Sequence, residues 1–289
     1  MSRTGAFPAD ELESGPVVIR MAALEEALPG TLAVFSTRLG GVSSPPWDTL
    51  NLGYHVGDSP VDVTENRRRL LRALGVEADS LAAPAQVHGD GVKVVHAPGR
   101  YEDADGLLTL VRGLTLAVSC ADCVPVYLLD PRTPAAGLVH AGWKGTLAGI
   151  AARAAETMVR RFGSRRSELV ATIGPAIGPC CYEVGPEVAG PAEERFGSGA
   201  VRRDEDGRSR FNLWEANRLN LLSAGLDRRR VHVSGLCTFC REDLFHSHRR
   251  ATLRGPRPPR SGRMMGLMRL PLEGRAGMRG EETSLPRKN

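Results

Sequence analysis

Apolar and polar positions along the chain alternate in a pattern that predicts many short strands and a few helices. Near-continuous apolar runs at 114–119, 124–129 and 136–140 predict strands that are buried on both faces. Shorter runs predict further strands at 17–20, 31–38, 85–88, 92–95, 169–173, 231–234 and 264–270. Strands therefore outnumber helices in the predicted fold.

Helical spacing of apolar residues is clearest at 61–74, 146–162 and 212–225, with a shorter helix at 22–28. The chain has no repeat with a period of about 20–50 residues, and it has neither a Rossmann fingerprint nor a Walker loop. The pattern predicts a single α+β domain with mixed sheets over residues 16–270. Polar composition predicts disordered tails at 1–15 and 271–289.

Charge and composition narrow the class of protein. The 289-residue chain has no apolar run near the ~20 residues of a membrane span, and its first 15 residues are unlike a secretory signal. The net charge of +5 comes largely from arginine clusters, which lack the interleaved aromatic residues of a nucleic-acid platform. We therefore expect a cytoplasmic protein that binds neither membranes nor nucleic acid, with these clusters on solvated surfaces.

Three potential metal ligands each lie at the predicted end of a strand, beside small residues. They are His88 in QVHGD, Cys123 in SCADCVP and His140 in VHAGWKG. Two imidazoles and one thiolate form a good zinc set, and three protein ligands leave a fourth position for water or substrate. Asp90 and Asp122 are candidates for supporting the ligands or transferring protons.

The same residues allow other interpretations. A histidine at a strand end is often a structural hydrogen-bonding residue, and a buried cysteine is often a small apolar filler. Cys123 paired with His140 would instead be the nucleophile of a Cys-His hydrolase. A non-catalytic, metal-stabilised binding module is a further interpretation.

The remaining cysteines leave more alternatives open. Cys120-x-x-Cys123 and Cys237-x-x-Cys240 have the spacing of two halves of a four-cysteine zinc site, although the gap between them far exceeds the usual ~15–20 residues. Cys180 and Cys181 follow a loop with two prolines and two glycines, which predicts a rigid turn. That turn either lines a pocket or is purely structural.

Basic side chains suited to an anion are also present. Arg38 precedes the Gly40-Gly41 turn, and Lys144 lies just before the predicted start of a helix. Arg249 and Arg263 flank a later loop rich in arginine and proline. Each of these residues taken singly is more typical of plain surface charge.

Taken together, these segments resemble the YfiH family, also called the laccase-domain or multicopper polyphenol oxidoreductase family. The resemblance runs from about residue 30 to residue 270. The stretches that carry it are FSTR and GGVS (35–43), NLG (51–53), QVHG (86–89), ADG (104–106), ADCVP (121–125), HAGWKG (140–145), IGPAIG (173–178), CYEV (181–184) and CT (237–238).

The resemblance implies a mixed α/β sandwich in which His88, Cys123 and His140 bind zinc, with copper as the alternative ion. It also implies phosphorolysis of purine nucleosides (adenosine, inosine or methylthioadenosine) by inorganic phosphate, which gives the base and a ribose 1-phosphate. Adenosine deamination is reported for such enzymes, and some relatives are linked to peptidoglycan editing, which would suit a Cys-His amidase. Copper polyphenol oxidation fits poorly, because a type-1 copper site needs a fuller ligand set.

The resulting hypothesis assigns a role to each residue. The catalytic set is His88, Cys123, His140 and Asp122. The candidates for substrate binding are Arg38, Lys144, Gln86 and Asn51, of which the two basic residues would hold phosphate. The stretch 247–250 departs from the family pattern, which has an aromatic residue there, and Cys240 is an addition to it. The oligomeric state is left open.

Overall fold

Short strands dominate the fold, as the apolar pattern predicts. The computed structural model describes residues 7–13, 15–255 and 257–272. Its strands are β1 (Ala9–Glu11), β2 (Val17–Arg20), β3 (Leu32–Ser36), β4 (Leu81–Pro84), β5 (Val92–Val94), β6 (Gly99–Tyr101), β7 (Gly106–Thr109), β8 (Thr115–Cys120), β9 (Val124–Asp130), β10 (Ala135–Ala141), β11 (Val170–Ile173), β12 (Glu183–Val184), β13 (Val201–Arg203), β14 (Ser209–Phe211), β15 (Val231–Val233) and β16 (Met264–Arg269). Its α-helices are α1 (Ala22–Ala27), α2 (Pro60–Ala73), α3 (Trp143–Ala148), α4 (Ile150–Phe162), α5 (Pro186–Phe196), α6 (Leu213–Ser223) and α7 (His248–Arg254).

Two large mixed sheets pack face to face and enclose the central core. The first has the strand order β1-β2-β3-β16-β8-β4-β6, and the second has the order β15-β11-β9-β10-β7-β5. Their facing side chains, among them Phe35, Leu116 and Tyr127, are fully buried. The Tyr127 hydroxyl donates a hydrogen bond to the Val34 carbonyl, 2.7 Å away, and so joins the second sheet to the first.

Helices cover the outer faces of both sheets. Leu70 of α2 packs on the outer face of the first sheet, against Met265 and Leu267 of β16. On the outer face of the second sheet, Met158 of α4 and Ala216 of α6 are fully buried. The result is a four-layer α/β/β/α arrangement, which confirms the predicted α+β domain with mixed sheets sandwiched with helices.

The predicted long helix at 146–162 is two helices. α3 and α4 meet at Gly149, whose φ of 82° lies in the left-handed region. Glycine adopts this conformation without steric cost. Apolar spacing predicts the buried face of such a segment but does not register a break of one residue.

The predicted strand at 85–88 is a loop. β4 ends at Pro84, and the φ values of Gln86 and His88 are 54° and 60°, which a strand excludes. Backbone N–H groups of residues 87–89 donate to the side chain of Asp105 instead of a neighbouring strand. This loop geometry positions the His88 side chain.

Ordered structure extends into one predicted tail. Ala9–Glu11 form the edge strand β1, which pairs antiparallel with β2 although the segment is polar. Edge pairing is possible here because main-chain hydrogen bonds do not require apolar side chains. Residues 1–6 and 273–289 of the predicted tails lie outside the described residues. Among the described residues, no helix has the length and apolar character of a membrane span.

Candidate functional site

Three side chains that are far apart in the sequence come together in the fold. The ligand atoms of His88, Cys123 and His140 all lie within 4.8 Å of one another. The two imidazole rings meet edge to face, with their centroids 4.9 Å apart. The predicted set therefore converges on one point.

Strand ends and one glycine position these ligands. The turn between β8 and β9 contains Asp122 with a left-handed φ of 90°, and Cys123 follows it directly before β9. β10 runs antiparallel to β9 and places His140 opposite Pro125. A Cβ atom on Gly142 would lie 3.3 Å from both Cys123 Sγ and a ring carbon of His88, so glycine keeps the ligands uncrowded.

A buried carboxylate, Asp105, organises the site. Its Oδ1 lies 2.9 Å from His140 Nδ1, and its two oxygens accept hydrogen bonds from the backbone N–H groups of residues 87–89. The exposed fractions of the Asp105 and His140 side chains are 0% and 3%. Sequence reasoning assigned no role to Asp105. The available signals were the ADG stretch (104–106) and the position of one acidic residue directly before the buried strand β7.

The side chains of the candidate metal site shift one another's pKa values. Burial opposes ionisation of the Cys123 thiol, but His140 and His88 outweigh it and lower the pKa of Cys123 to about 6. Burial also opposes a charged His140, but Cys123 and Asp105 outweigh it and raise the pKa of His140 to about 9. Without a metal, the site therefore favours a thiolate beside an imidazolium.

The donor set fits a metal ion. Asp105 engages Nδ1 of His140, so Nε2 is left as the ligand atom of that ring. Two imidazole nitrogens and one thiolate are ligands found in catalytic zinc sites. All three residues line one open cavity, which leaves a coordination position for a further ligand. His88, Cys123 and His140 are thus a candidate metal site.

The cavity beside this site has a volume of about 760 Å³, which is within the usual range for small-molecule pockets. The outer face of the first sheet forms an apolar floor of Leu81, Ala83, Ala117 and Met265. The remaining wall carries polar, cationic and aromatic side chains, namely Tyr54, His55, Arg67, Arg100, His248 and Arg263. The cavity therefore offers both an apolar surface and positive charge to one ligand.

Two of these cations, Arg67 and Arg263, have no carboxylate partner among the described residues. Arg67 donates from Nε to the Leu52 carbonyl, and its guanidinium lies 4.5 Å from the centroid of the Tyr54 ring. Arg263 donates to backbone carbonyls of its two preceding neighbours. Burial lowers the pKa of both arginines. Because a partly desolvated cation is costly without an anion, this wall is suited to an anionic ligand.

Residues 32–271 match the family model described as multi-copper polyphenol oxidoreductase laccase. The chain belongs to this laccase-domain family. The match spans both sheets from β3 to β16 and includes every ligand of the candidate metal site. The resemblance carried by the short motifs is confirmed.

Curated relatives and solved structures within the laccase-domain family agree on the fold. The chain is 39% identical over 234 residues to purine nucleoside phosphorylase YlmD of Geobacillus stearothermophilus, covering 76% of this chain and 85% of that protein. It is 42% identical over 246 residues to a purine nucleoside phosphorylase of Deinococcus radiodurans, covering 84% and 91%. The crystal structure of YlmD from Geobacillus stearothermophilus matches with a TM-score of 0.83 at 35% identity, covering 92% of this chain and 98% of that one. The crystal structure of the hypothetical protein YfiH from Bacillus licheniformis matches with a TM-score of 0.81 at 34% identity, covering 92% and 99%.

Two of the predicted substrate ligands lie in or beside the cavity of this laccase-domain protein. Gln86 lines it, and its amide exchanges two hydrogen bonds of 2.8 Å with the backbone N–H and carbonyl of Ser119. Asn51 is buried behind the cavity wall, where its Oδ1 accepts a hydrogen bond of 2.9 Å from the backbone N–H of Arg263. Asn51 therefore positions an arginine of the wall.

The two predicted phosphate ligands lie elsewhere. Arg38 donates to the side chain and carbonyl of Asp48 and lines a separate cavity of about 240 Å³. Lys144 is exposed, with its Nζ 5.5 Å from the centroid of the Trp143 ring. The structure does not bring either residue to the metal ligands. Arg67 and Arg263, which from sequence alone resemble surface charge, face the cavity instead.

Asp122, predicted to transfer protons, has both carboxylate oxygens occupied. Its Oδ1 accepts from the Thr238 hydroxyl at 2.6 Å. Its Oδ2 accepts from the Ser247 hydroxyl at 3.0 Å and from the backbone N–H of Arg249 at 2.7 Å. These bonds tie the turn that carries Cys123 to the segments around residues 238 and 247.

Two other residues considered from sequence also have defined positions. Asp90 forms an ion pair of 2.5 Å with Arg153, and both side chains are partly exposed. His248, in the stretch that departs from the laccase-domain pattern, lines the cavity. His248 therefore presents an imidazole at the wall of the site.

The structure rules out the alternative in which Cys120-x-x-Cys123 and Cys237-x-x-Cys240 form one four-cysteine site. Cys123 belongs to the His/Cys site, and Cys120 is buried in the core. Cys237 and Cys240 lie instead with Cys180 and Cys181. The reason is topological. β11 and β15 are parallel neighbours, so the loops that follow them leave the same edge of the sheet.

Proposed function

We propose that this protein is a cytoplasmic, zinc-dependent purine nucleoside phosphorylase. It converts adenosine, inosine or methylthioadenosine and inorganic phosphate into the base and a ribose 1-phosphate. The observation that carries the proposal is one cavity that joins the His88, Cys123 and His140 site to two arginines without carboxylate partners among the described residues. The named purine nucleoside phosphorylases among its relatives support it. Six free cysteines suit a reducing compartment.

Phosphate binds between Arg67 and Arg263 in this proposal. Guanidinium groups bind phosphate through charge-assisted, often bidentate hydrogen bonds. Both groups are held before a ligand arrives, because the Leu52 carbonyl accepts from Arg67 and Asn51 accepts from the backbone of Arg263. Each guanidinium has further N–H donors beyond those that bond to carbonyls. The positions of the arginines therefore require little rearrangement on binding.

The purine base packs on the apolar floor of the cavity. Leu81, Ala83 and Met265 offer a surface of the outer sheet face without competing polar groups. Tyr54 is 47% exposed at the cavity wall and offers an aromatic surface to a flat ring. Phosphate and base thus have chemically distinct parts of the same cavity.

His88, Cys123 and His140 hold the zinc ion, and Asp105 fixes the tautomer of His140. When bound, zinc supplies Lewis acidity, which stabilises negative charge on an oxygen ligand. Asp122 acts through Cys123 as a positioning residue, because its carboxylate already accepts three hydrogen bonds.

The reaction forms a bond between a phosphate oxygen and the anomeric carbon of ribose. The carbon–nitrogen bond to the base breaks, the base leaves with that electron pair, and it takes up the proton that hydrogen phosphate loses. Arg67 and Arg263 hold the phosphate against the sugar, where the negative charge of the phosphate stabilises an oxocarbenium-like transition state. His55 and His248 line the same cavity, and burial lowers the pKa of both. Each is therefore neutral at pH 7 and offers one ring N–H to the departing base.

The test is zinc content together with phosphate-dependent release of adenine from adenosine, in wild type and in His88→Ala. We expect His88→Ala to lose one zinc ion per chain and the phosphate-dependent activity. His96→Ala is the matched control, because His96 is exposed and lies outside the cavity lining. Inosine formed without phosphate measures deamination in the same assay. A wild type that binds no zinc through His88 and ignores nucleosides would overturn the proposal.

A second candidate, a Cys-His hydrolase, is favoured by one observation. Cys123, His140 and Asp105 are arranged as a nucleophile, a base and a group that orients the base. In that enzyme Cys123 is free of metal, so iodoacetamide alkylates it in the protein as purified and a chelator leaves the activity intact. Alkylation of Cys123 only after chelation supports the phosphorylase.

A further inference from the structure

A second group of cysteines lies outside the cavity lining. The Sγ atoms of Cys180, Cys181, Cys237 and Cys240 all lie within 4.8 Å of one another. We propose that these four thiols form a second metal site, which binds one zinc ion through four thiolates. This site shares no ligand with the site of His88, Cys123 and His140, and the proposal does not depend on the phosphorylase activity.

Sheet topology brings the two pairs of cysteines together. The loops after the parallel strands β11 and β15 run side by side, and Ala176 forms a parallel bridge with Cys237. The N–H of Thr238 donates to the Ala176 carbonyl at 3.0 Å. The Gly178 carbonyl accepts from the N–H groups of Cys181 and Tyr182, each at 3.0 Å. Both loops are therefore fixed by their own backbone, and the four thiols converge on that frame.

The separations between the sulfur atoms suit a shared metal ion. Cys240 Sγ lies 3.3 Å from Cys181 Sγ and 3.5 Å from Cys180 Sγ. Four sulfurs at about 2.3 Å from a tetrahedral zinc ion lie about 3.8 Å from one another. A disulfide would require about 2.05 Å. An ion at the centre of the cluster therefore needs only small outward shifts of the side chains.

One thiol of the cluster, Cys237, also has a hydrogen-bond donor that suits a thiolate ligand. The backbone N–H of Gly178 donates to Cys237 Sγ at 3.2 Å, a contact that stabilises charge on a metal-bound sulfur. Cys237 is buried, whereas Cys180 and Cys240 are exposed. A metal ion can thus enter from the exposed side and be held against the buried thiol.

The proposed site supports the turn that carries Cys123. The Thr238 hydroxyl, one residue after Cys237, donates to Asp122 Oδ1, and the N–H of Ile177 donates to the Asp122 carbonyl at 3.0 Å. Zinc bound by the four cysteines would lock the two loops that make these bonds. We therefore assign it a structural, positioning role behind the cavity.

The experiment counts zinc in the reduced, full-length protein. Wild type should contain about two zinc ions per chain, and His88→Ala and the double variant Cys237→Ser/Cys240→Ser about one each. Cys120→Ala, which removes a cysteine outside both clusters, should retain two. A double variant that keeps the wild-type count would overturn the proposal. An intact mass about 2 Da lower than the reduced chain, which shows a disulfide among these cysteines, would also overturn it.

A second measurement avoids cysteine variants, which are open to misfolding. Zinc X-ray absorption of His88→Ala reports the remaining site alone. Four sulfur neighbours at about 2.3 Å and no nitrogen would support the proposal, whereas absence of zinc or a mixed nitrogen and sulfur shell would refute it. Failure of the phosphorylase proposal would be distinguishable, because the zinc content would then be the same in wild type and in His88→Ala.

Discussion

Asp105 and His140 are joined by a contact of 2.9 Å between carboxylate Oδ1 and imidazole Nδ1, and both side chains are buried. The same carboxylate accepts hydrogen bonds from the backbone of the loop that carries His88. One side chain therefore sets the orientation of one metal ligand and the backbone of another. This arrangement makes the metal site sensitive to a change that leaves all three ligands in place.

Asp105→Asn should weaken the metal site and the fold together. If the amide nitrogen faces His140, it donates to Nδ1 and forces the proton onto Nε2, which removes that atom as a ligand. If it faces the other way, it meets the N–H groups of Val87 and Gly89, which are also donors. We expect the zinc affinity to fall about 10- to 100-fold and the free energy of unfolding by about 1–3 kcal/mol.

Competition with a chromogenic chelator measures the zinc affinity of Asp105→Asn, and urea titration measures its stability. Asp103→Asn is the control, because Asp103 is exposed two residues away. Equal zinc affinity in Asp105→Asn and wild type would contradict the role assigned to this carboxylate.

The three residues of the candidate metal site stand out in the sequence, whereas Asp105 does not, for a physical reason. A soft or borderline donor lies beside glycine or other small residues at each of His88, Cys123 and His140. This combination by itself indicates a metal site. Asp105 is an ordinary acidic residue until the fold places it under the His88 loop. Its role depends on contacts with residues 87–89 and His140, which no local pattern encodes.

The thiol of Cys123 should ionise well below the usual range in metal-free protein. Its pKa is lowered to about 6 from an ordinary value of 9.0, against the effect of burial, by His140 and His88. The rate of alkylation by iodoacetamide should therefore rise through a midpoint near pH 6. Peptide mapping assigns the alkylated residue. We expect His140→Gln to move the midpoint to higher pH, and a midpoint unchanged by this variant would contradict the assignment.

Together, Cys123 and His140 should leave the free energy of unfolding almost independent of pH across the neutral range. The lowered pKa of Cys123 gives a contribution that is fully present above pH 9.0 and is lost as the pH falls through about 6. The raised pKa of His140 gives a contribution that is fully present below pH 6.5 and is lost as the pH rises through about 9. Between about pH 6.5 and 9 the two changes oppose each other. The free energy of unfolding of metal-free wild type, measured by urea titration, should therefore vary little with pH within this window, and a steep slope there would contradict the compensation.

Arg67→Gln should impair phosphate binding, and its effect on stability should be small because removal of a buried charge offsets loss of the contacts with Leu52 and Tyr54. The variant removes a partly buried cation that has no carboxylate partner among the described residues, together with its charge-assisted bonds to phosphate. We expect the KM for phosphate to rise about 10- to 100-fold, which corresponds to about 1.4–2.8 kcal/mol, while the KM for nucleoside changes less. Arg68→Gln on the same helix is the control, because Arg68 is exposed and pairs with Glu65. An unchanged KM for phosphate in Arg67→Gln would remove Arg67 from this role.

Adjacent residues of α2 show why the sequence alone did not single out Arg67 as a candidate phosphate ligand. Arg67, Arg68 and Arg69 form one basic cluster in the sequence, yet Arg68 and Arg69 pair with Glu65 while Arg67 faces the cavity. Helical periodicity separates their directions, but it cannot show which side of a surface helix borders a ligand cavity. Arg38 has a suggestive position beside a glycine turn, and its partner Asp48 becomes evident only from the fold.

The strands were predictable for a different reason. β8, β9 and β10 are nearly continuous apolar runs, since both of their faces are covered. The loop at 85–88 alternates apolar and polar residues as a half-buried strand does, but the carboxylate of Asp105 holds its backbone away from strand pairing. A distant hydrogen-bond acceptor thus overrides the local pattern.

Gly145→Ala should damage the metal site through backbone contact alone. A Cβ atom on Gly145 in α3 would lie 2.5 Å from the Gly89 carbonyl oxygen, so either the helix or the loop after His88 must move. We expect overpacking to lower the free energy of unfolding by about 1–3 kcal/mol and to weaken zinc binding. Gly190→Ala in α5 is the matched control, because Gly190 has open space around it and the change should be neutral or stabilising by up to about 1 kcal/mol. Chemical denaturation and zinc competition on both variants measure these effects, and a Gly145→Ala protein with wild-type zinc affinity would show that the loop tolerates the displacement.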